Sequence, residues 1–266
     1  MTRPIPFSLP ESARGTAQII PSPPWYFSGT WLTIEYRTDP ARVRELLPEP
    51  LELDDDDPGR VAITWSDFQS SSGSGEELLD PVRSQFSEAF LAVKAKFRGS
   101  VYSRVAFAWV DRDFSLARGT HMGWPKKSGS IHQTRPFPFG KAPRLEPGGT
   151  FATSLAAGDR RIAEARIVLR EQGEERPVVT AQPMIHTRRV RSIEGGAPDA
   201  LHQLVAHRAT VEGTAWTADA ELRLFDSPWE GLADVAVQEI VGGFYQQVGF
   251  VWDGGETVYD YLNPGH

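Results

Sequence analysis

The chain contains no cysteine, and that absence removes disulfides, thiolate catalysis and cysteine-based metal sites together. It also lacks any apolar run as long as a membrane span, so a membrane is not an expected partner. The opening residues, Met1-Thr2-Arg3-Pro4-Ile5-Pro6, hold no apolar stretch of the kind a signal peptide requires, and a cytoplasmic location is the expectation. Positive charge is in deficit: the formal net charge of −7 argues against a nucleic-acid partner, whose binders carry a basic stripe. An anionic small molecule stays open, because a local group of Lys and Arg can override a negative mean field. Familiar signatures are missing too. The histidines form no HExxH, and His202 and His207 are off a common helical face. There is no Walker A or GxGxxG sequence, and the stretch from Ser70 to Gly75 lacks nucleophile-elbow spacing and reads as a mobile loop.

What is present is enough for a large core: 40% of residues are apolar and 24% charged. The stretch up to Pro24 is rich in Pro and Ser without periodicity and reads as an arm, residues 1–24, with Ile19-Ile20 as its tether. Residues 25–266 are expected to form a single domain, a length all-β barrels often use as one unit. Leu32, Ile34 and Tyr36 alternate with Thr33, Glu35 and Arg37, the pattern of a half-buried strand. Asp39-Pro40 then opens a short helix through Val43, Leu46 and Leu47, ended by Pro48. The acidic stretch from Asp54 to Asp57 predicts a solvated turn.

Beyond it the chain reads mostly as β, with strands expected over 61–68, 90–97, 102–111, 151–156, 162–170, 178–187 and 214–225. Close Gly- and Pro-rich breaks between them favour a sandwich or barrel over a βαβ sheet. Ser227-Pro228-Trp229-Glu230 has a capping-box pattern, and Leu232, Val235, Ile240, Val241, Phe244 and Val248 follow at helical spacing. A long amphipathic helix over the sheet is the expectation there, with a last strand over 257–262.

Adjacent lysines are common in solvated turns, and Lys126-Lys127 could be one. Their context differs from that of an ordinary turn: Gly123 permits a tight approach, Trp124-Pro125 fixes the backbone, and the apolar run from Val105 to Val110 lies just upstream. Gly123-Trp124-Pro125-Lys126-Lys127 resembles the Gly-x-Pro-Lys-Lys signature of the acetoacetate decarboxylase superfamily. Three further segments agree in order: Tyr36–Asp39 with Leu47–Glu52, Phe86-Ser87-Glu88 with Phe97-Arg98-Gly99, and Leu224–Asp226 with Glu239–Val241 and Val258–Leu262.

The resemblance implies an α+β, mainly antiparallel fold: a strongly curved, cone-like β-barrel with an internal cavity and a few helices. It implies a lyase with no external cofactor, assembled as a homo-oligomer. By the same resemblance Lys126 is the Schiff-base lysine, Lys127 its neighbouring cation and Glu88 the active-site carboxylate. An ordinary lysine, with a pKa near ~10.4, is a poor nucleophile at neutral pH. Desolvation or a nearby cation lowers that pKa, a principle whose standard example is acetoacetate decarboxylase itself.

Two departures from the family pattern bear on the substrate. Decarboxylating members tend to carry an Arg in the strand around Phe27-Ser28-Gly29, and an ungapped match puts Gly29 there. The family's Gly-Arg-Glu before the lysine pair is replaced by Arg118-Gly119-Thr120-His121-Met122, which makes Arg118, Thr120 and His121 candidate substrate-binding residues. His121 could serve as an acid–base group or bond a loop carbonyl. Arg104 and Arg118 are replacement anion binders if they are not on the surface, and Tyr259 and Tyr261 could reach the cavity from the last strand.

The function implied is a Schiff-base C–C lyase acting on a small keto acid. The chemistry is either decarboxylation or aldol condensation–dehydration, in which pyruvate meets an aldehyde co-substrate. A non-catalytic small-molecule binding protein on the same scaffold is the alternative.

Overall fold

The computed structural model describes residues 6–264, so residues 1–5 of the expected arm lie outside the described part. The strands are β1 (Trp25–Arg37), β2 (Glu52–Leu53), β3 (Arg60–Ser71), β4 (Gln85–Phe97), β5 (Ser100–Val110), β6 (Lys126–Ser128) and β7 (Ser130–Gln133). They continue with β8 (Thr150–Ala157), β9 (Arg160–Gly173), β10 (Met184–Val190), β11 (Leu201–His207), β12 (Glu212–Leu224), β13 (Glu239–Trp252) and β14 (Glu256–Asp260). Two α-helices, α1 (Pro40–Glu45) and α2 (Asp113–Met122), lie between them. No helix among the described residues is long and apolar enough to cross a membrane.

All fourteen strands join one sheet in the order β14-β11-β10-β5-β4-β3-β1-β13-β12-β9-β8-β7, with β2 added to β4 and β6 to β5. The pairings are antiparallel except for β5–β10 and β5–β6. The two ends of the path do not pair, so the sheet curls without closing. Its curl is visible in terminal β7, which packs against β3, β4 and β5 in the middle of the path. Gln133 on β7 also donates to Thr30 Oγ1 on β1 at 2.9 Å. The mainly antiparallel, curved fold expected from the family resemblance is therefore the fold observed.

Curling explains the burial pattern of the central strands. Leu32, Thr33, Ile34, Glu35 and Tyr36 are all buried, so both faces of this part of β1 are covered, while β3 and β13 pair with its two edges. The half-buried strand expected there is thus buried on both sides. The same constraint removes the expected C-terminal helix. Residues 239–252 form a central strand, and only a 3₁₀ turn (Leu232–Asp234) precedes it. Apolar residues crowded onto both faces of a buried strand produce chance i, i+4 coincidences that imitate a helical stripe. Gly243 gives the strand away: a Cβ there would stand 2.9 Å from Ala220 Cβ on the facing strand.

The short helix after Asp39 forms as expected, with the Asp39 carboxylate accepting from Ala41 N–H at 2.9 Å. The strand expected from 178 begins only at Met184, since the Val179 N–H is taken by Glu35 Oε1 at 2.7 Å instead of by a ladder. The acidic stretch is not wholly solvated. Asp54 is buried and ion-paired with buried Lys94 on β4, while Asp55 pairs with Lys96 nearer the surface. In the arm, Ile20 is buried and Ile19 is not, and the Ser8 hydroxyl bonds the backbone of Ile20 on both sides.

Breaking a buried pair leaves one charge without compensation. Lys94→Met is expected to lower unfolding stability by about 3–5 kcal/mol, and adding Asp54→Leu should restore most of it. Urea denaturation of the two variants checks both outcomes; equal losses would mean that the pair is not the source of the effect.

Candidate active site

The site is built where α2 ends. Phe114, Ser115, Arg118 and Gly119 make the buried face of this helix, the spacing of one helical stripe. Gly123, at φ 88°, is left-handed, and the N–H groups of Gly123 and Trp124 both donate to the Gly119 carbonyl at 2.8 and 2.9 Å. Pro125 cannot continue the helix, and Lys126 opens β6, which adds in parallel to β5 opposite Ala108. The chain has by then turned back on α2. A Cβ on Gly119 would lie 2.5 Å from Lys126 Cδ, so the lysine stem runs across the helix where no side chain stands.

Lys126 Nζ is ion-paired with Glu88 on β4, and both side chains are buried. It also donates to Ser115 Oγ at 3.0 Å, and it lies 5.2 Å from the Trp124 ring and 5.8 Å from the Phe86 ring. Burial holds the Lys126 amine below the ordinary lysine range; Glu88 opposes that shift and Arg118 reinforces it. Arg118 is itself buried, with its guanidinium 5.2–5.6 Å from the rings of Trp25, Phe27 and Phe114. Its Nη1 donates to Ser70 Oγ at 2.6 Å, while its Nε has no hydrogen-bond partner among the described residues. Burial draws its pKa down to about 10, which leaves it a cation at neutral pH.

These groups face a cavity of about 310 Å³. Thr64, Glu88, Ser115, Arg118, Lys126 and Gln246 are among its polar lining residues, as are Arg176, Thr180, Gln182 and His207; Phe27, Trp31, Phe68, Phe86, Phe250 and Trp252 supply much of the apolar wall. The segment from Arg176 to Met184, together with His207, completes the wall. Among the described residues, no group of three or more His, Asp or Glu stands where it could hold a metal ion. An amine with a depressed pKa, a carboxylate at its side and a guanidinium with a free donor can together receive a keto acid.

Of the residues singled out from sequence, the structure brings Lys126, Glu88 and Arg118 together and sets the others apart. Lys127 leaves β6 in the other direction: its Nζ is ion-paired with Glu230 and lies 5.6 Å from the Trp109 ring, off the cavity wall. The second cation near Lys126 is Arg118, which is buried and not at the surface. Thr120 is exposed and bonds the Leu116 carbonyl one turn back. His121 sits behind the wall against Phe7, Trp25 and Trp252, with ring centroids 5.0–5.8 Å away. Tyr259 packs on Phe97 and Tyr261. Arg104 is also largely withdrawn from the surface and donates to Thr187 Oγ1 at 3.2 Å, away from the cavity.

Sequence reading missed Ser115, Gln246 and the aromatic wall. A period-two signal for the wall was present in Phe27-x-Gly29-x-Trp31, Phe86-x-Glu88-x-Phe90 and Gln246-x-Val248-x-Phe250-x-Trp252. The gap at Gly29 is filled from the next strand: a Cβ there would meet Asp67 O at 2.1 Å and the Phe68 ring at 2.4 Å.

The sequence model of the family described as acetoacetate decarboxylase (ADC) matches residues 8–262. The acetoacetate decarboxylase of Chromobacterium violaceum is 27% identical over 250 residues, covering 91% of each chain. That of Clostridium acetobutylicum is 24% identical, covering 93% of this chain and 94% of its own. Among solved structures, the enduracididine biosynthesis enzyme MppR, complexed with the condensation product of pyruvate and imidazole 4-carboxaldehyde, is 34% identical. It aligns with a TM-score of 0.90 over 98% of this chain and 99% of MppR. Matched from end to end by the family model and carrying a buried lysine–glutamate pair at the family's signature, the chain belongs to the acetoacetate decarboxylase family and is an acetoacetate decarboxylase-like enzyme.

Proposed function

We propose that the protein is a Schiff-base C–C lyase that condenses pyruvate with an aldehyde and removes water, using Lys126 as its covalent group. The observation that carries this reading is the buried Lys126–Glu88 pair in an aromatic cavity, with Arg118 as the adjacent cation. Neutral Lys126 attacks the ketone carbon, and loss of water leaves a protonated imine. Glu88 then removes a methyl proton to give the enamine. The enamine carbon bonds to the aldehyde carbon, a second water leaves, and hydrolysis of the imine frees the unsaturated keto acid. Arg118 holds the carboxylate, which this route retains.

Three features favour condensation over loss of CO2. Position 29, where decarboxylating members tend to carry an Arg, has no room for a side chain. The cavity, about 310 Å³, falls within the range of roughly 300–1,000 Å³ that houses drug-sized ligands, more space than a four-carbon acid fills. MppR, at 34% identity, has been solved with pyruvate and with a pyruvate–aldehyde condensation product.

Borohydride reduction in the presence of pyruvate, followed by peptide mass analysis, should leave a reduced adduct on Lys126, and Lys126→Ala should abolish both adduct and turnover in a folded protein. CO2 release from acetoacetate exceeding pyruvate-dependent aldehyde consumption would reverse the choice of chemistry.

The pH dependence of imine formation follows from the charges. The rate falls as pH drops through the pKa of Lys126. Glu88→Gln removes the anion that supports the ammonium, so the acid limb should move to lower pH. Arg118→Gln removes a repelling cation and should move the limb to higher pH, with KM for pyruvate raised about 10–100-fold. Lys127→Ala should leave it in place, as the Lys127 ammonium is held by Glu230.

Gly119→Ala should displace the Lys126 stem, lowering the rate of imine trapping well before it lowers stability. Trapping at the original rate would show that the stem has another path.

A further inference from the structure

A second titratable group stands on the cavity wall without a task in that scheme. His207 ends β11, opposite Met184 on β10, and both residues line the cavity. His207 also borders the outer groove beside Gln182 and Arg208, so it stands where a molecule entering from that side meets the wall. Its ring lies 5.6 Å from that of His186 and 6.3 Å from that of Trp252. His186 is fully buried and packs on Trp124 at 5.1 Å, the indole that also lies 5.2 Å from Lys126 Nζ. His186 does not line the cavity itself; it packs behind Trp124 and His207, which line it together with Lys126.

Neither histidine is used by the protein itself. Among the described residues, both ring nitrogens of His186 lack partners, and no side-chain hydrogen bond involves His207. Burial lowers the His207 pKa to about 4, so at neutral pH the ring is uncharged and offers one N–H and one lone pair. A neutral imidazole is suited to polarising a carbonyl, because it donates a hydrogen bond without placing a second full charge beside a protonated imine. Trp252 beside it, and Phe250 on the same cavity wall, favour an apolar or aromatic body on the same molecule.

We propose that His207 donates a hydrogen bond to the carbonyl oxygen of the second substrate, an aldehyde with an aromatic or apolar body, and so activates it for attack. This assignment rests on the pyruvate-enamine reading above. As the C–C bond forms, the carbonyl π pair moves onto oxygen, and the proton that Glu88 took from the methyl group ends there. His207 holds that oxygen throughout and gives up no proton.

The test uses the full-length protein with pyruvate and imidazole-4-carboxaldehyde, comparing His207→Leu and His207→Gln with the unmodified enzyme. Borohydride trapping of pyruvate on Lys126 reads the first half-reaction, and aldehyde consumption reads the second. His207→Leu should trap pyruvate normally while kcat/KM for the aldehyde falls about a hundredfold, the cost of one oxyanion donor. His207→Gln, which keeps an N–H, should recover most of that loss. Unchanged aldehyde kinetics in His207→Leu would overturn the assignment, as would equal losses in both variants. If His207→Leu does not fold, His207→Gln decides: trapping and aldehyde kinetics lost together would make the residue structural and overturn the proposal. No trapped pyruvate in the unmodified enzyme would overturn the imine reading and this assignment with it.

Discussion

A primary amine is overwhelmingly protonated in water at neutral pH, and the architecture of this protein can be followed from the need to keep one amine dry. Lys126 is withdrawn from solvent because a helix ends in a left-handed glycine, a proline stops any continuation, and the chain folds back across a second glycine. The shell around it comes from distant parts of one curled sheet, whose strands β1, β4 and β13 each offer two aromatic residues, and β3 offers Phe68, to the same interior. A flat sheet carrying those residues would leave them in water. Curl is therefore a condition of the chemistry as well as of stability.

Ionic groups placed in such an interior need partners, and the protein supplies them by pairing across strands. Glu88 meets Lys126, Asp54 meets Lys94, and Glu35 meets Arg60 on the neighbouring strand while its other oxygen takes the Val179 N–H. Two arginines withdrawn from the surface have no carboxylate partner: Arg104, which bonds Thr187 Oγ1, and Arg118, which faces the cavity. The contacts of Arg118 are three aromatic faces and a hydroxyl, and no carboxylate is ion-paired with it. A buried cation without an ion partner is the feature on which the proposed role of Arg118 in holding a substrate carboxylate rests.

Much of this was legible in the sequence, and what was not has a common cause. Lys126 and Glu88, which the structure pairs at the cavity, could be singled out because their motifs are short and local, and most strand positions followed from runs bounded by Gly and Pro. Strand β13 was read as a helix because its stretch from Gly243 to Gln246 is buried on both faces and interrupts the alternation that resumes from Gln246 to Trp252. Helix α2 was overlooked because three of the four residues on its buried face are Ser, Arg and Gly, which carry no apolar signal. Lys127 and Arg118 illustrate the same limit from opposite directions. Adjacency along the chain put Lys127 beside the amine, but successive residues of a strand point to opposite faces. Arg118 reaches the site by two turns of helix, and its burial depends on Trp25 and Phe27, residues far away in the chain.

The contact between Gly29 and Phe68 gives the cavity a history as well as a shape. With a backbone oxygen and an aromatic ring already occupying the space, a single codon change that put a side chain at position 29 would collide with both. Residues 29 and 68 face each other across β1 and β3, so they can change size only in concert. Any lineage passing between an arginine at that position and the present glycine had to alter the neighbouring strand within the same few steps. Geometry thus couples the two positions, and replacing Gly29 alone would not make an arginine-bearing pocket.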